Sequence, residues 1–538
     1  MRYLTPVTVF AVWGLFLSCE GFFVPRAVST SRRRETAGDL KEAGRGEQSS
    51  LRMWNPGKMF GSVLGSGAAM AKLGGPALTV GGGEGLSLDV LRDRAEKTTV
   101  GQKLREEKAL REKGEGLPHT DAKIRLFGTG ENPKITLYRD SAAWCPYCQK
   151  TWMLFEEKRV PFRIEKINMR SYGDKPKEFL AKVPGGLLPV IEVEGGPGQP
   201  ITESQVIMNL VDRSFPESAG YRDLMPPKGT PLFKRAQELL SLERDLFRAW
   251  CGYVFYPPGF GGGRDDFDRV MDRVDAALGE TEGPWFLGGT EPSLVDLTYV
   301  PHVERIAASV AYWKGRKVRG GKWKNVDRWF DALDERPSYQ ATKGDFYTHV
   351  MDIPPQYGDG FFERGDADYK SVIEGKAENW RLPLPPVGPS DLEPVIPSAN
   401  VGDEAARHHA AWKLLSNFEN VVRFSCRGVG AVGQKKFSAP LADPYAVPNE
   451  DAQADVNVAL QYVVMALLQG APQVKDKLNA DLAAGGDSGT RRAVAACLHY
   501  LRDRVGVPRD MPYLPARQLR AHLNWVADAY LEGSAPAC

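Results

Sequence analysis

Cysteine is scarce in this chain, seven in 538 residues, and the number is odd. Cys19, Cys251, Cys426, Cys497 and Cys538 stand apart from one another. That pattern excludes the disulfide framework by which small secreted domains are held together. One closely spaced pair is left, Cys145 and Cys148. No second CxxC and no histidine pair at ligand spacing accompanies it, so a zinc site is not expected, and neither is any other metal. A strong charge of one sign is also missing. The formal net charge is +2, and residues 1–34 carry five basic side chains against one acid, which leaves the remainder at about −2. A general polyanion binder needs the opposite balance, so no nucleic-acid partner is expected. The apolar run Leu4 to Ser18 is too short to cross a bilayer comfortably, so no membrane span is expected in the mature chain. No internal repeat is visible.

The first residues do contain addressing information. Arg2, the apolar run and the small residues Cys19 and Gly21 predict a signal peptide over 1–21, cut before Phe22. Phe22-Phe23-Val24-Pro25-Arg26 then leads into Ser29, Thr30, Ser31, Arg32, Arg33 and Arg34, with no acid until Glu35. Hydroxylated, basic and acid-poor describes a transit peptide, so 22–86 reads as a transit peptide and flexible linker. The order of signal, Phe and transit-like stretch resembles the bipartite plastid presequence of algae with secondary plastids. The expected location is the plastid (chloroplast) stroma; plain secretion or another endomembrane compartment is the alternative.

Hydrophobic periodicity divides the rest. Residues 87–130 predict a charged helical extension packed loosely on the domain after it. Residues 131–218 alternate strands and helices: Ile135–Tyr138, a helix from the CxxC to Lys158, a strand over 162–167, a short helix near 177–182, a strand after Pro189, a short strand near Ile201 and a helix over 204–215. That βαβα–ββα order is a thioredoxin-like α/β fold. Residues 226–340 read as all-helical, with segments over 233–253, 266–278, 294–310 and 326–333, and with Ser293 and Asp296 as a capping box. Residues 341–400 read as a Pro-rich linker. Residues 401–538 read as an additional, separate all-α domain, with helices over 411–424, 456–468, 491–505 and 516–531.

Cys145-Pro146-Tyr147-Cys148 carries the chemistry. A strand runs into a cysteine at a helix start, where the helix N-terminus stabilises negative charge on sulfur. Pro146 suits the first helical position, where its missing N–H costs nothing. Cys148, one turn on, is placed to resolve a mixed disulfide, and Lys150 adds positive charge nearby.

Residues 133–340 resemble a glutathione transferase of the cysteine type, as in the omega, lambda and dehydroascorbate reductase classes. The resemblance places the catalytic cysteine at Cys145. It assigns glutathione binding to Leu188 and a cis Pro189 beside the cysteinyl group, to Glu203 and Ser204 at the γ-glutamyl end, and to Lys175 at the glycyl carboxylate. Two features, Cys148 and the long C-terminal extension, resemble the iota class of photosynthetic organisms. That class carries Trp where this chain has Tyr147, and the tetrapeptide here is that of a dithiol glutaredoxin. The resemblance implies glutathione as co-substrate and a catalytic role for Cys145 and Cys148. It implies a small electrophile or a glutathionylated or disulfide partner, and it allows a homodimer. The expected function is a glutathione-dependent thiol transferase or reductase. A conjugating transferase and a non-catalytic ligand-binding or scaffold protein are the competitors.

Other chemistry-bearing residues read as structural. Tyr138 and Ser141 lie near the hydroxyl positions of Tyr- and Ser-type transferases but read as a strand and a turn residue. His408-His409 reads as a helix start and Arg316 to Lys324 as a solvated loop. Arg509, Arg517 and Arg520 either make internal ion pairs or meet a partner's carboxylate, with the pairs favoured.

Overall fold

Two hydroxyl caps open the first two helices. Ser87 Oγ accepts from Val90 N at 3.3 Å and starts α1 (Leu88–Lys97); Thr98 Oγ1 accepts from Gly101 N at 2.9 Å and starts α2 (Thr99–Glu112). The computed structural model describes residues 87–196, 198–260, 262–376, 378–433, 440–533 and 535–536. The expected signal and transit segments, residues 1–86, lie outside them.

A four-stranded sheet comes next, ordered β1-β3-β2-β4. Its strands are β1 (Ile124–Arg125), β2 (Ile135–Asp140), β3 (Phe162–Ile167) and β4 (Val190–Val193). β2 and β3 are parallel, joined by α3 (Pro146–Lys158), as a parallel pair requires a crossover. β4 and β1 are antiparallel to β2 and β3 respectively. Ile201 makes a single bridge to Ile191 in place of the expected short strand. α3 and α5 (Ser204–Ser214) share the larger core with the sheet. Phe179 of α4 (Lys177–Lys182) closes a smaller core with Ile167, Val183 and Val190. β1 is an addition to the expected order. Two residues are too few to show a period, and only pairing with β3 makes them a strand.

The helical half has α6 (Pro231–Val254), α7 (Arg264–Gly279), α8 (Leu294–Lys314) and α9 (Lys324–Asp334). The capping box is complete: Ser293 Oγ accepts from Asp296 N, and Asp296 Oδ2 accepts from Ser293 N at 2.8 Å. α8 is buried along its whole length and packs on α3 and α6. A helix apolar on most sides belongs in such a centre. The architecture is a thioredoxin-like α/β half, a helical half behind it, and further helices at the C-terminal side.

Several expectations need correction. Residues 341–400 are not simply a linker. After the short α10 (Pro337–Gln340), they form α11 (Phe346–Tyr357) and α12 (Tyr369–Ile373), with Tyr347, Val350 and Ile353 buried. Pro354 and Pro355 obscure the helix in the sequence; they sit in its last turns, while Asp345 caps its start by accepting from Thr348 N at 2.9 Å. The single helix expected over 411–424 is two, α13 (Asp403–Leu415) and α14 (Phe418–Ser425). Ser416 and Asn417 divide them: Ser416 Oγ donates to Lys413 O at 2.7 Å, and such polar side chains compete with the helical ladder. α15 (Gln453–Gln469), α17 (Ser488–Arg502) and α18 (Tyr513–Glu532) match expected segments, whereas α16 (Ala471–Ala484) is hidden in the sequence behind Gly470 and Pro472. Residues 401–538 are not separate either, because the described residues from 87 onward form one compact unit. Nor is the N-terminal extension loosely packed. Leu91 and Ala95 are buried in the core of the C-terminal helices, with α1 against α13.

Candidate active site

The end of β2 and the start of α3 place the cysteine pair. Cys145 is the N-cap residue of α3, extended at φ −72°, ψ 119°, and Pro146 takes the first helical position. Cys145 retains 8% of its surface; Cys148, one turn inside, retains 1%. Burial first, then the neighbouring Cys145 sulfur, pushes the Cys148 thiol well above the usual thiol range, so Cys148 stays protonated.

The loop before Cys145 is fixed from several sides. Ala143 is held at φ +62°, a left-handed conformation that a non-glycine residue adopts only when its surroundings impose it. Trp144 N donates to Asp140 Oδ2 at 2.6 Å, and Trp144 O accepts from Arg305 Nη2 of α8 at 2.6 Å. Trp144 Nε1 donates to Val507 O at 3.0 Å, and the Arg509 guanidinium lies 4.7 Å from the centre of its ring. The loop between α17 and α18 thus grips the residue next to Cys145. Asp140 is fully buried, and burial pushes its carboxyl up from the ordinary range. Sequence reasoning misses these partners. Trp144, adjacent to the motif, is the one signal available there.

The residues expected to hold glutathione occupy the neighbouring segments. The Leu188–Pro189 peptide is cis, immediately before β4. Glu203 is exposed and sits at φ +67° at the head of α5, with Ser204 buried as the first helical residue. A positive φ at a non-glycine residue again marks a conformation imposed by its surroundings. Lys175 Nζ donates to Asn168 O at 2.6 Å. Burial lowers the Lys175 ammonium from the ordinary lysine range.

A second cation lies on the other side. Lys150 is 4% exposed, its ammonium 5.6 Å from the centre of the Tyr147 ring. Burial depresses it to about 8, against the pull of Glu243, Cys145 and Glu203. Behind Tyr147, His302 Nδ1 and Glu243 Oε1 are 2.5 Å apart, and Arg244 grips Glu243 with two bonds of 2.6 Å. Phe247 and Tyr147 both pack on the His302 ring, making an aromatic wall beside the cysteine.

The buried ammonium gives a test with a defined sign. Lys150 is charged in the folded chain below about 8 and in the unfolded chain below 10.5. Below the lower value folding carries the full cost of burying the charge, up to about 3 kcal/mol, and above the upper value none. Lys150→Met should therefore be more stable than the native chain near neutral pH, and the advantage should close as pH rises through that window. Thermal unfolding across pH checks this; an advantage that grows with pH contradicts it.

Residues read as structural are engaged as such. Tyr138 Oη donates to Glu192 Oε2 at 2.5 Å, and Ser141 Oγ donates to Asn168 Oδ1 at 2.8 Å. The basic stretch is less solvated than expected: Arg319 is buried against Asp334, and Arg316 pairs with Asp268 at 2.9 Å and Lys322 with Asp272 at 2.9 Å. His408 and His409 lie inside α13, which starts five residues earlier at Asp403, and His408 Nε2 lies 3.2 Å from Leu468 O. Among the described residues no group of three or more His, Cys, Asp or Glu could hold a metal ion, and no helix is long and apolar enough to cross a membrane.

Known proteins share both halves of this arrangement. The glutathione S-transferase N-terminal domain matches residues 144–214, and the glutathione S-transferase C-terminal domain matches residues 241–332. Pyrimidodiazepine synthase of Drosophila melanogaster is 32% identical over 220 residues, covering 39% of this chain and 81% of that protein. Glutathione S-transferase DHAR2 of Arabidopsis thaliana is 25% identical over 199 residues, 37% of this chain and 84% of that one. Among solved structures, the dehydroascorbate reductase of Chlamydomonas reinhardtii aligns at 21% identity and a TM-score of 0.31, over 39% of this chain and 93% of that chain.

Proposed function

Since the chain belongs to the glutathione S-transferase family, we propose that it catalyses glutathione-dependent thiol–disulfide exchange through Cys145. The observation that carries this reading is a cysteine at the N-terminus of α3, at the end of β2, with a second, sealed cysteine one turn inside the helix. The Cys145 thiolate attacks the glutathione sulfur of a mixed disulfide. A Cys145–glutathione disulfide forms, and the substrate thiol leaves with its electron pair and takes a proton. A second glutathione thiolate attacks the bound glutathione sulfur, releasing glutathione disulfide and restoring Cys145. Leu188, Pro189, Glu203, Ser204 and Lys175 are the residues proposed to hold the tripeptide.

Cysteine supports reduction over conjugation, in which glutathione's own sulfur is the nucleophile. The hydroxyls of Tyr138 and Ser141, the residues nearest the hydroxyl positions of Tyr- and Ser-type transferases in the sequence resemblance, already donate elsewhere. The test is turnover of hydroxyethyl disulfide and dehydroascorbate against an aryl halide. Reduction without conjugation supports the reading, and conjugation alone overturns it.

Within the family, the Cys-Pro-Tyr-Cys motif and the C-terminal helices support an iota-like assignment, and the expected presequence supports a plastid location. Residues 1–60 fused to a fluorescent protein should enter a secondary plastid, and Phe22→Ala should stall the fusion outside. Secretion of the unmutated fusion would contradict this.

A further inference from the structure

Of the three arginines that the sequence left between internal pairing and partner recognition, two are neutralised. Arg509 meets Asp510 at 2.7 Å, and Arg520 Nη1 meets Asp345 at 2.5 Å. Arg517 is not. It is 5% exposed, its Nη2 donates to Pro385 O at 2.5 Å, and among the described residues no carboxylate lies within 4.0 Å of it. A buried cation without a counter-charge is costly unless something supplies one.

Arg517 lines a cavity of about 250 Å³ between α18, the start of α11 and the loop through Pro385. A cavity of roughly 150 Å³ is enough to admit benzene. None of the residues placed around Cys145 lines it. Its walls are mixed: Val372, Leu392 and Pro386 are apolar, and Trp380 and Tyr513 are aromatic. The acids present do not answer Arg517. Asp345 is committed to Arg520 and to Thr348 N. Glu393 Oε1 accepts from Phe346 N at 3.1 Å, burial together with Asp345 holds its carboxyl well above the usual range, and Asp391 Oδ2 accepts from Gly388 N at 2.6 Å. Arg520 Nε, also buried, has no partner.

We propose that this cavity binds a small amphipathic monocarboxylate, its carboxylate on Arg517 and its body against Trp380, Tyr513 and Leu392. One unpaired guanidinium matches one negative charge. The carboxylates of Asp345 and Asp391 in the lining disfavour a dianion such as phosphate. Such a ligand would tie the 341–400 segment to α18, the helix that presents Arg517.

Benzoate is the probe, titrated into the full chain by calorimetry with Trp fluorescence as a second readout. The expected result is saturable binding, unchanged by saturating glutathione. Arg517→Met should weaken it by about 10- to 150-fold, and the neutral isostere benzyl alcohol should show a similar deficit. Inorganic phosphate should not compete. Val387→Trp, which fills the cavity wall and cuts no ion pair, should abolish binding and keep reductase activity; it carries the test if Arg517→Met does not fold. No saturable binding to the native chain, equal affinity in Arg517→Met, or displacement by glutathione would each overturn the proposal.

Discussion

Cys145→Ser is expected to abolish reductase activity, whereas Cys148→Ser should retain most of it on glutathionylated substrates. The asymmetry arises from the two sulfurs' surroundings. Cys145 stands at the N-terminus of α3 and keeps part of its surface open to a substrate. Cys148 is sealed at 1% exposure, and its thiol is pushed well above its ordinary range. A thiol that remains protonated is a slow nucleophile, so free glutathione outruns it as the resolving group. Steady-state rates with a glutathionylated peptide check this for both variants. If Cys148→Ser is as inactive as Cys145→Ser, the mechanism is dithiol and resolves internally. Iodoacetamide should also label Cys145 ahead of Cys251, whose thiol burial pushes up to about 12.

The second large effect is expected on glutathione affinity. Glu203 and Lys175 are proposed to hold opposite ends of the tripeptide. A charge-assisted hydrogen bond is worth roughly 1.5–3 kcal/mol, so Glu203→Ala or Lys175→Ala should weaken binding by about 10- to 150-fold. Lys175 has a local carbonyl partner, Asn168 O, which keeps its ammonium placed when glutathione is absent. Glu203 is exposed at the head of α5 with its backbone at positive φ, so its carboxylate is presented without needing to reorganise. Cys145 should remain reactive to small alkylating agents in both variants, since neither residue builds the helix N-terminus. Calorimetry on a Cys145→Ser background separates binding from chemistry. Unchanged affinity in both variants would place glutathione elsewhere and favour a scaffold role.

The motif and the halves around it are legible because their signals are local. A proline at the first helical position, a capping box at Ser293 and Asp296, and strand alternation over 162–167 each specify structure within a few residues. The features that escape depend on contacts between distant residues. The grip on Trp144 joins it to Val507 and Arg305, far away in the chain, and no spacing rule reports such a bond. The helix at 346–357 is hidden because two prolines speak for a loop locally, while Tyr347 and Ile353 are held by tertiary burial. The independence expected for residues 401–538 fails for the same reason. The Arg520–Asp345 pair and the α1–α13 contact tie that part to both sides of the chain. Arg517 is the converse case. The sequence offers three arginines of similar appearance, and only the placement of acids shows which one lacks a counter-charge.

Trapping the covalent intermediate tests the central claim most directly. The Cys148→Ser variant, treated with glutathione disulfide and analysed by intact and peptide mass spectrometry, should carry one glutathione, attached to Cys145, and free glutathione should remove it. No adduct on Cys145, or an adduct confined to Cys251, Cys426 or Cys497, would contradict the account.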